Sequence, residues 1–106
     1  MPKISVRYSI EFLGKRDDVQ KTIDVDSGTT VFAGLFQAIQ PETVVYSGSG
    51  ETCFVKSICG QANEGAGGAN WTYRVNDEVI KKSSDVQILN DGDHVSWQLG
   101  SKTVLQ

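Results

Sequence analysis

One histidine, two cysteines, two prolines and no cluster of lysines or arginines are what this chain has to work with, and each scarcity closes off a class of function. With His94 alone, a histidine-based acid, base or metal site has to recruit other residue types. Cys53 and Cys59 fall short of the four cysteines that a closed zinc site or an iron–sulfur cluster normally takes, which excludes a self-contained ferredoxin. They sit in what reads as one extended segment, about 20 Å apart at strand rise, and cannot bridge without a bend. Free, partly buried thiols are the expectation, in keeping with a reducing compartment. A reactive thiol needs a basic neighbour or a helix N-terminus, and Lys56 is close in sequence only. A net charge of -3 without a basic run argues against nucleic acid and anionic lipid as partners. No apolar run approaches the ~20 residues that span a bilayer. The opening Met1-Pro2-Lys3-Ile4 lacks the apolar core of a signal peptide. As written, the chain reads as cytoplasmic, and as extracellular if a leader was removed.

What is present is the make-up of an ordinary globular protein: 39% hydrophobic and 22% charged residues over 106 positions. That length predicts a single domain spanning residues 1–106, burying roughly two thirds of its unfolded surface. Ile4, Val6, Tyr8, Ile10 and Phe12 alternate with polar residues, the cleanest strand signal in the chain. Gly14 to Asp18 reads as a turn, and Val19, Ile23 and Val25 as a second strand that closes an antiparallel hairpin. Asp26-Ser27-Gly28-Thr29-Thr30 supplies capping chemistry before Val31, Phe32, Leu35, Phe36 and Ile39, which are spaced as one helix face and end at Pro41. Gly34 and Ala38 allow that helix to approach a sheet closely.

Thr43 to Tyr46 is a short β-branched run. Cys53, Phe54, Val55, Ile58 and Cys59 put apolar side chains on both faces, as a central strand covered on each side requires. Gly60 to Ala69 is glycine-rich and reads as a flexible connection. From Asn70 to Leu99, Trp71, Tyr73 and Val75 alternate with polar residues, and so do Val95, Trp97 and Leu99; Asn76-Asp77 and Asn90 to Asp93 mark turns between them. Strand, strand, helix, then further strands predicts an α+β fold, a β-grasp in which one helix packs across one face of a mixed sheet. The end, Thr103-Val104-Leu105-Gln106, lacks the terminal Gly-Gly that β-grasp sulfur carriers and ubiquitin-like modifiers activate.

Several of these segments resemble the transcobalamin-like C-terminal domain family, a β-grasp module also likened to soluble ligand-binding β-grasp domains. The resemblance runs through Val25-Asp26-Ser27-Gly28-Thr29-Thr30-Val31-Phe32 with Leu35 and Ala38, then Phe54-Val55-Lys56-Ser57-Ile58-Cys59-Gly60. It continues in Trp71, Tyr73, Val75 and Asn76, and in Leu89, Asp91-Gly92-Asp93, Val95 and Trp97. Cys59 stands where the family has a polar residue. Asp77 stands where it prefers Gly, which predicts a longer or looser hairpin turn. The resemblance implies a non-enzymatic binding module that covers a cobalamin-like ligand, while in the vitamin B12 carriers a large helical domain, not in this sequence, holds most of that ligand.

Candidate chemistry is sparse beside it. His94 reads as a solvated strand residue. Asp17-Asp18 and Asp91 with Asp93 read as turn carboxylates that bond their own backbone, since calcium wants several more oxygen ligands. No glycine-rich stretch has a phosphate-binding pattern. No catalytic set emerges, so no enzyme activity and no resident cofactor is expected, cobalamin being the one ligand the resemblance suggests. Trp97 reads as core. Trp71, Tyr73 and Asn76 are the candidate ligand-binding residues: Trp71 either packs in the core or, at the strand's end, stacks on a flat ligand or anchors a partner. The alternative is a protein–protein interaction or structural module without a small-molecule ligand.

Overall fold

The computed structural model describes residues 2–12, 14–65 and 68–100. Its first strand, β1 (Lys3–Glu11), follows from strict alternation: Val6, Tyr8 and Ile10 point inward and are at most 1% exposed, while Ser5 and Arg7 point out. It pairs antiparallel with β2 (Val19–Asp26), from Lys3 opposite Asp26 to Ile10 opposite Val19, and forms the expected hairpin.

The helix α1 (Val31–Ile39) starts where the Thr30 hydroxyl accepts the Ala33 N–H at 3.1 Å, a side-chain cap on one of the turn's free donors. Two more donors at that end are taken by a later loop: Val31 N–H bonds the Gln87 carbonyl and Phe32 N–H the Ser84 carbonyl, each at 2.9 Å. The buried face is Val31, Phe32, Gly34, Leu35, Ala38 and Ile39. Gly34 is required by the sheet beneath: a Cβ there would overlap the Tyr8 hydroxyl, lie 3.1 Å from its ring Cζ and 3.3 Å from Leu89 Cδ1. Tyr8 in turn donates to the Val31 carbonyl at 2.6 Å, so helix and sheet are bolted at that point.

Two sheets follow. The main one contains β6 (Trp71–Val75), β7 (Glu78–Val79) and β8 (His94–Leu99), in the order β2-β1-β8-β6-β7. β8 runs parallel to β1, with Ile10 beside Trp97, and antiparallel to β6, with Tyr73 beside Trp97. A mixed sheet crossed by one helix after the first hairpin is the β-grasp architecture, and the chain has it. The smaller sheet has three strands, β3 (Val44–Ser47), β4 (Phe54–Ile58) and β5 (Gln61–Ala62), with β4 in the middle.

Three expectations need correction. β4 belongs to the small sheet and is not covered on both faces: Val55 and Ile58 are buried, but Phe54 is 57% exposed. Apolar density in a strand says that it packs, not which sheet it joins. The hairpin from β6 to β7 is tight, not loose: Val75 pairs with Glu78, leaving only Asn76 and Asp77, both left-handed at φ 53° and 67°. Asn and Asp tolerate that region, and Asn76 is held in it, its Nδ2 donating to Asp93 Oδ1 and its Oδ1 accepting the His94 N–H, both at 2.9 Å. The glycine-rich loop, in its described residues, is tied down by side chains. Asn63 bonds the Val55 carbonyl and the Trp71 N–H, Glu64 Oε1 accepts the Ala69 N–H, and the Asn70 amide bonds both backbone groups of Gly65.

Candidate functional site

Alternation on β6 turns Trp71 and Tyr73 to the inner side of the main sheet, and antiparallel pairing with β8 sets Trp97 directly beside Tyr73. The Tyr73 and Trp97 rings lie 5.2 Å apart at 32°, and Trp71 meets Phe12 edge to face at 5.5 Å. The helix covers the other half of this face. Here the cover is β4 and its approach, and it leaves a groove of about 150 Å³. Trp71, Tyr73, Trp97 and Val55 wall it, Phe54 stands at it largely in solvent, and Cys53, Lys82, Ser83 and Ser84 complete its edge.

Both β6 aromatics are anchored. Trp71 is 8% exposed and donates through Nε1 to the Gln61 carbonyl at 2.8 Å. Tyr73 donates to the Lys82 carbonyl at 2.6 Å, and burial pushes its phenol up to about 12. Trp97 is different. Its indole N–H is buried with no hydrogen-bond partner among the described residues, a condition that costs about 1–3 kcal/mol in a protein interior. Of the three candidate residues, the structure brings Trp71 and Tyr73 together in the groove. Asn76 sits at the β6–β7 turn, with both amide atoms engaged by Asp93 and His94. Trp97 and Phe54 belong to the groove as well. The alternation signalled that Trp97 faces inward, but not that a second sheet would stop short of it.

The remaining candidates have other employment. Cys53 and Cys59 are free thiols. Burial, and less so Glu42, pushes Cys59 up to about 11, and burial with Asp85 raises Cys53, so neither is disposed to be a thiolate. Asp93 accepts the Asn90 N–H of its own turn, as expected, and Asp18 the Phe12 N–H across the first hairpin turn, whereas Asp91 reaches out of its turn to the Ser5 N–H of β1. Arg16 grips Glu42 through both guanidinium ends at 2.9 and 3.0 Å, which holds the Glu42 carboxyl below its ordinary value. On the outer face His94 Nε2 lies 2.8 Å from the Ser9 hydroxyl, beside a polar depression of about 210 Å³ that also takes in Arg7, Gln20 and Thr22. Among the described residues no three His, Cys, Asp or Glu side chains are grouped to hold a metal ion, and no helix is long and apolar enough to cross a membrane.

The sequence profile of the family described as "Domain of unknown function (DUF4430)" matches residues 28–101, from the turn before α1 through the end of β8. The chain belongs to this family. The DUF4430 match takes in every residue that walls the groove. No curated protein sequence matches the chain. Among solved structures, a candidate metal-binding protein from Ruminococcus gnavus ATCC 29149 is similar in fold, with a TM-score of 0.75 at 14% identity, over 92% of this chain and 97% of that one. Haptocorrin in complex with Cbi is similar too, with a TM-score of 0.71 at 16% identity over 94% of this chain. The chain spans 26% of haptocorrin's length, about a quarter of it. At such identities the likeness is one of fold.

Proposed function

We propose that this DUF4430 chain is a non-enzymatic binding module whose groove covers part of a flat, corrinoid-like small molecule. The observation that carries the reading is the convergence of Trp71, Tyr73 and Trp97 on one groove, with Phe54 57% exposed beside it. Aromatic faces gathered at a concave site suit the apolar face of a planar ligand. The size of the groove points to covering, not enclosing: pockets that engulf a drug-sized ligand measure roughly 300–1,000 Å³, against about 150 Å³ here. A module of this kind shields one side of a ligand whose other side is held elsewhere. That accords with haptocorrin, crystallised with cobinamide, of which this chain matches about a quarter. The non-enzymatic part of the proposal is supported by thiols pushed toward the neutral form and turn carboxylates engaged with backbone donors.

Both tryptophans of the chain wall the groove, so intrinsic fluorescence reports on it directly. Titration with cobinamide, corrected for its own absorbance against N-acetyltryptophanamide, is expected to give saturable quenching. Absence of quenching up to high micromolar cobinamide removes the corrinoid reading.

A second reading has an observation of its own. Val45, Tyr46 and Phe54, on the small sheet, are 54%, 46% and 57% exposed, which suits a protein partner. A pull-down in which the wild type retains a partner and the Val45→Asp, Phe54→Asp double variant does not would favour it; equal recovery by both counts against it.

A further inference from the structure

The two tryptophans of the groove differ in one atom's circumstances. Trp71 Nε1 is satisfied by the Gln61 carbonyl at 2.8 Å. Trp97 Nε1 is buried and has no partner among the described residues, although the residue is only 2% exposed. Of the hydroxyls that line the groove, Tyr73 donates to the Lys82 carbonyl and Ser83 to the Gly50 carbonyl. A phenylalanine would fill a hydrocarbon wall without burying a lone donor. Lys82, at the edge of the same groove, makes no ion pair among the described residues. A donor without an acceptor in the wall and an unpaired ammonium at the edge are complementary to the same kind of group.

We infer that the ligand of this groove carries a hydrogen-bond acceptor, an amide or carboxylate oxygen projecting from its flat body, and that the indole N–H of Trp97 is the donor that receives it. The inference rests on the groove being a ligand site, as proposed above. It adds a polar specificity element to a wall that otherwise selects only for shape and apolar surface, and such an element discriminates more sharply between similar ligands than contact area does.

Nitrogen-15 correlation spectra give a direct test, because the indole region holds only two signals, assigned with Trp71→Phe and Trp97→Phe. The probes are benzamide, benzoate and toluene, alike in ring and different in acceptor. Benzamide or benzoate is expected to move the Trp97 indole proton downfield and leave that of Trp71 in place. Toluene is expected to shift backbone amides around Tyr73 without the downfield move. Trp97→Phe is expected to weaken benzamide roughly 2- to 10-fold while holding toluene affinity. A stronger response to benzoate than to benzamide assigns a role to Lys82 as well. If all three probes shift the Trp97 signal alike, the N–H takes no acceptor and the inference fails while the groove survives. If none shifts any groove signal, the groove reading falls and the inference with it.

Discussion

The inner face of the main sheet is covered in two ways, by α1 over β1 and β2 and by the small sheet over β6. On the helix side Leu35 and Val31 are fully buried and Tyr8 is 1% exposed, with Gly34 admitting the Tyr8 ring against the helix backbone. On the other side Trp71, Tyr73 and Trp97 are also largely buried, yet a groove runs along them and Phe54 stays mostly in water. The two halves belong to one sheet and share its apolar chemistry, and they differ in their lid. A helix presents a continuous apolar stripe and seals what lies under it. A short bulged sheet, shifted in register between Val45 and Tyr46, covers its half with a gap. The sealed half is closed over its core, and the gapped half leaves a groove beside three buried aromatic rings with Phe54 in water at it.

If that division holds, changes on the two sides separate stability from binding. Leu35→Ala opens a cavity in the sealed half and is expected to cost about 3 kcal/mol, read as a lowered urea midpoint, with the cobinamide response of the remaining folded protein unchanged. A smaller loss would mean that the helix side is less tightly packed than its burial indicates. Gly34→Ala sets a gain in helix propensity of about 1 kcal/mol against overpacking on Tyr8 that costs about 1–3 kcal/mol. The net expectation is a loss of about 1 kcal/mol, and a gain would show that helix and sheet can separate slightly at no cost.

Alkaline pH tests both halves through their phenols. Burial raises Tyr8 far above the ordinary 10.0 and brings Tyr73 to about 12. The folded state therefore keeps protons that the unfolded state sheds above pH 10. Stability is full below that pH and falls as pH rises, the Tyr73 part being lost through about 12. Urea midpoints at pH 8, 10 and 11 are expected to decline in that order, and a flat series would mean that solvent reaches both hydroxyls. Least disturbing to the fold is Phe54→Ala, at a residue 57% exposed, with a stability change within roughly 0.5 kcal/mol. Its effect is expected in the cobinamide titration, as several-fold weaker quenching; unchanged quenching would take Phe54 out of the site.

Where one neighbour decides a residue's fate, the sequence was readable. The alternation from Ile4 to Phe12, the Thr30 cap and the stop at Pro41 are local facts, and each is found as expected; the close approach at Gly34 is found too, against Tyr8 and Leu89. So is the turn bond of Asp93 to the Asn90 N–H. Assignment of β4 to a separate sheet depends on partners β3 and β5, which its own apolar residues do not name. The tightness of the Asn76–Asp77 turn depends on Asp93 and His94, far along the chain, gripping the Asn76 amide. The groove is half visible in the sequence: Trp71 and Tyr73 stand out as aromatics at a strand's end. Trp97 joins them only through the β6–β8 register, which the separation of 18 positions from Asn76 to His94 obscures, and Phe54 only because the small sheet leaves it uncovered.

The position of β1 has a consequence for how the chain is made. It lies inside the main sheet, between β2 and β8, with Tyr8 beside Val95. β1 is made well before β8, so it has one finished edge, supplied at once by the hairpin, and one that stays bare until β8 arrives. In that interval an apolar strand with an open row of backbone donors and acceptors is a template for pairing with the wrong chain. Arrival of β8 closes that edge and completes the wall that carries Trp97 in the same step, so the groove forms only in molecules whose β1 and β8 have already paired.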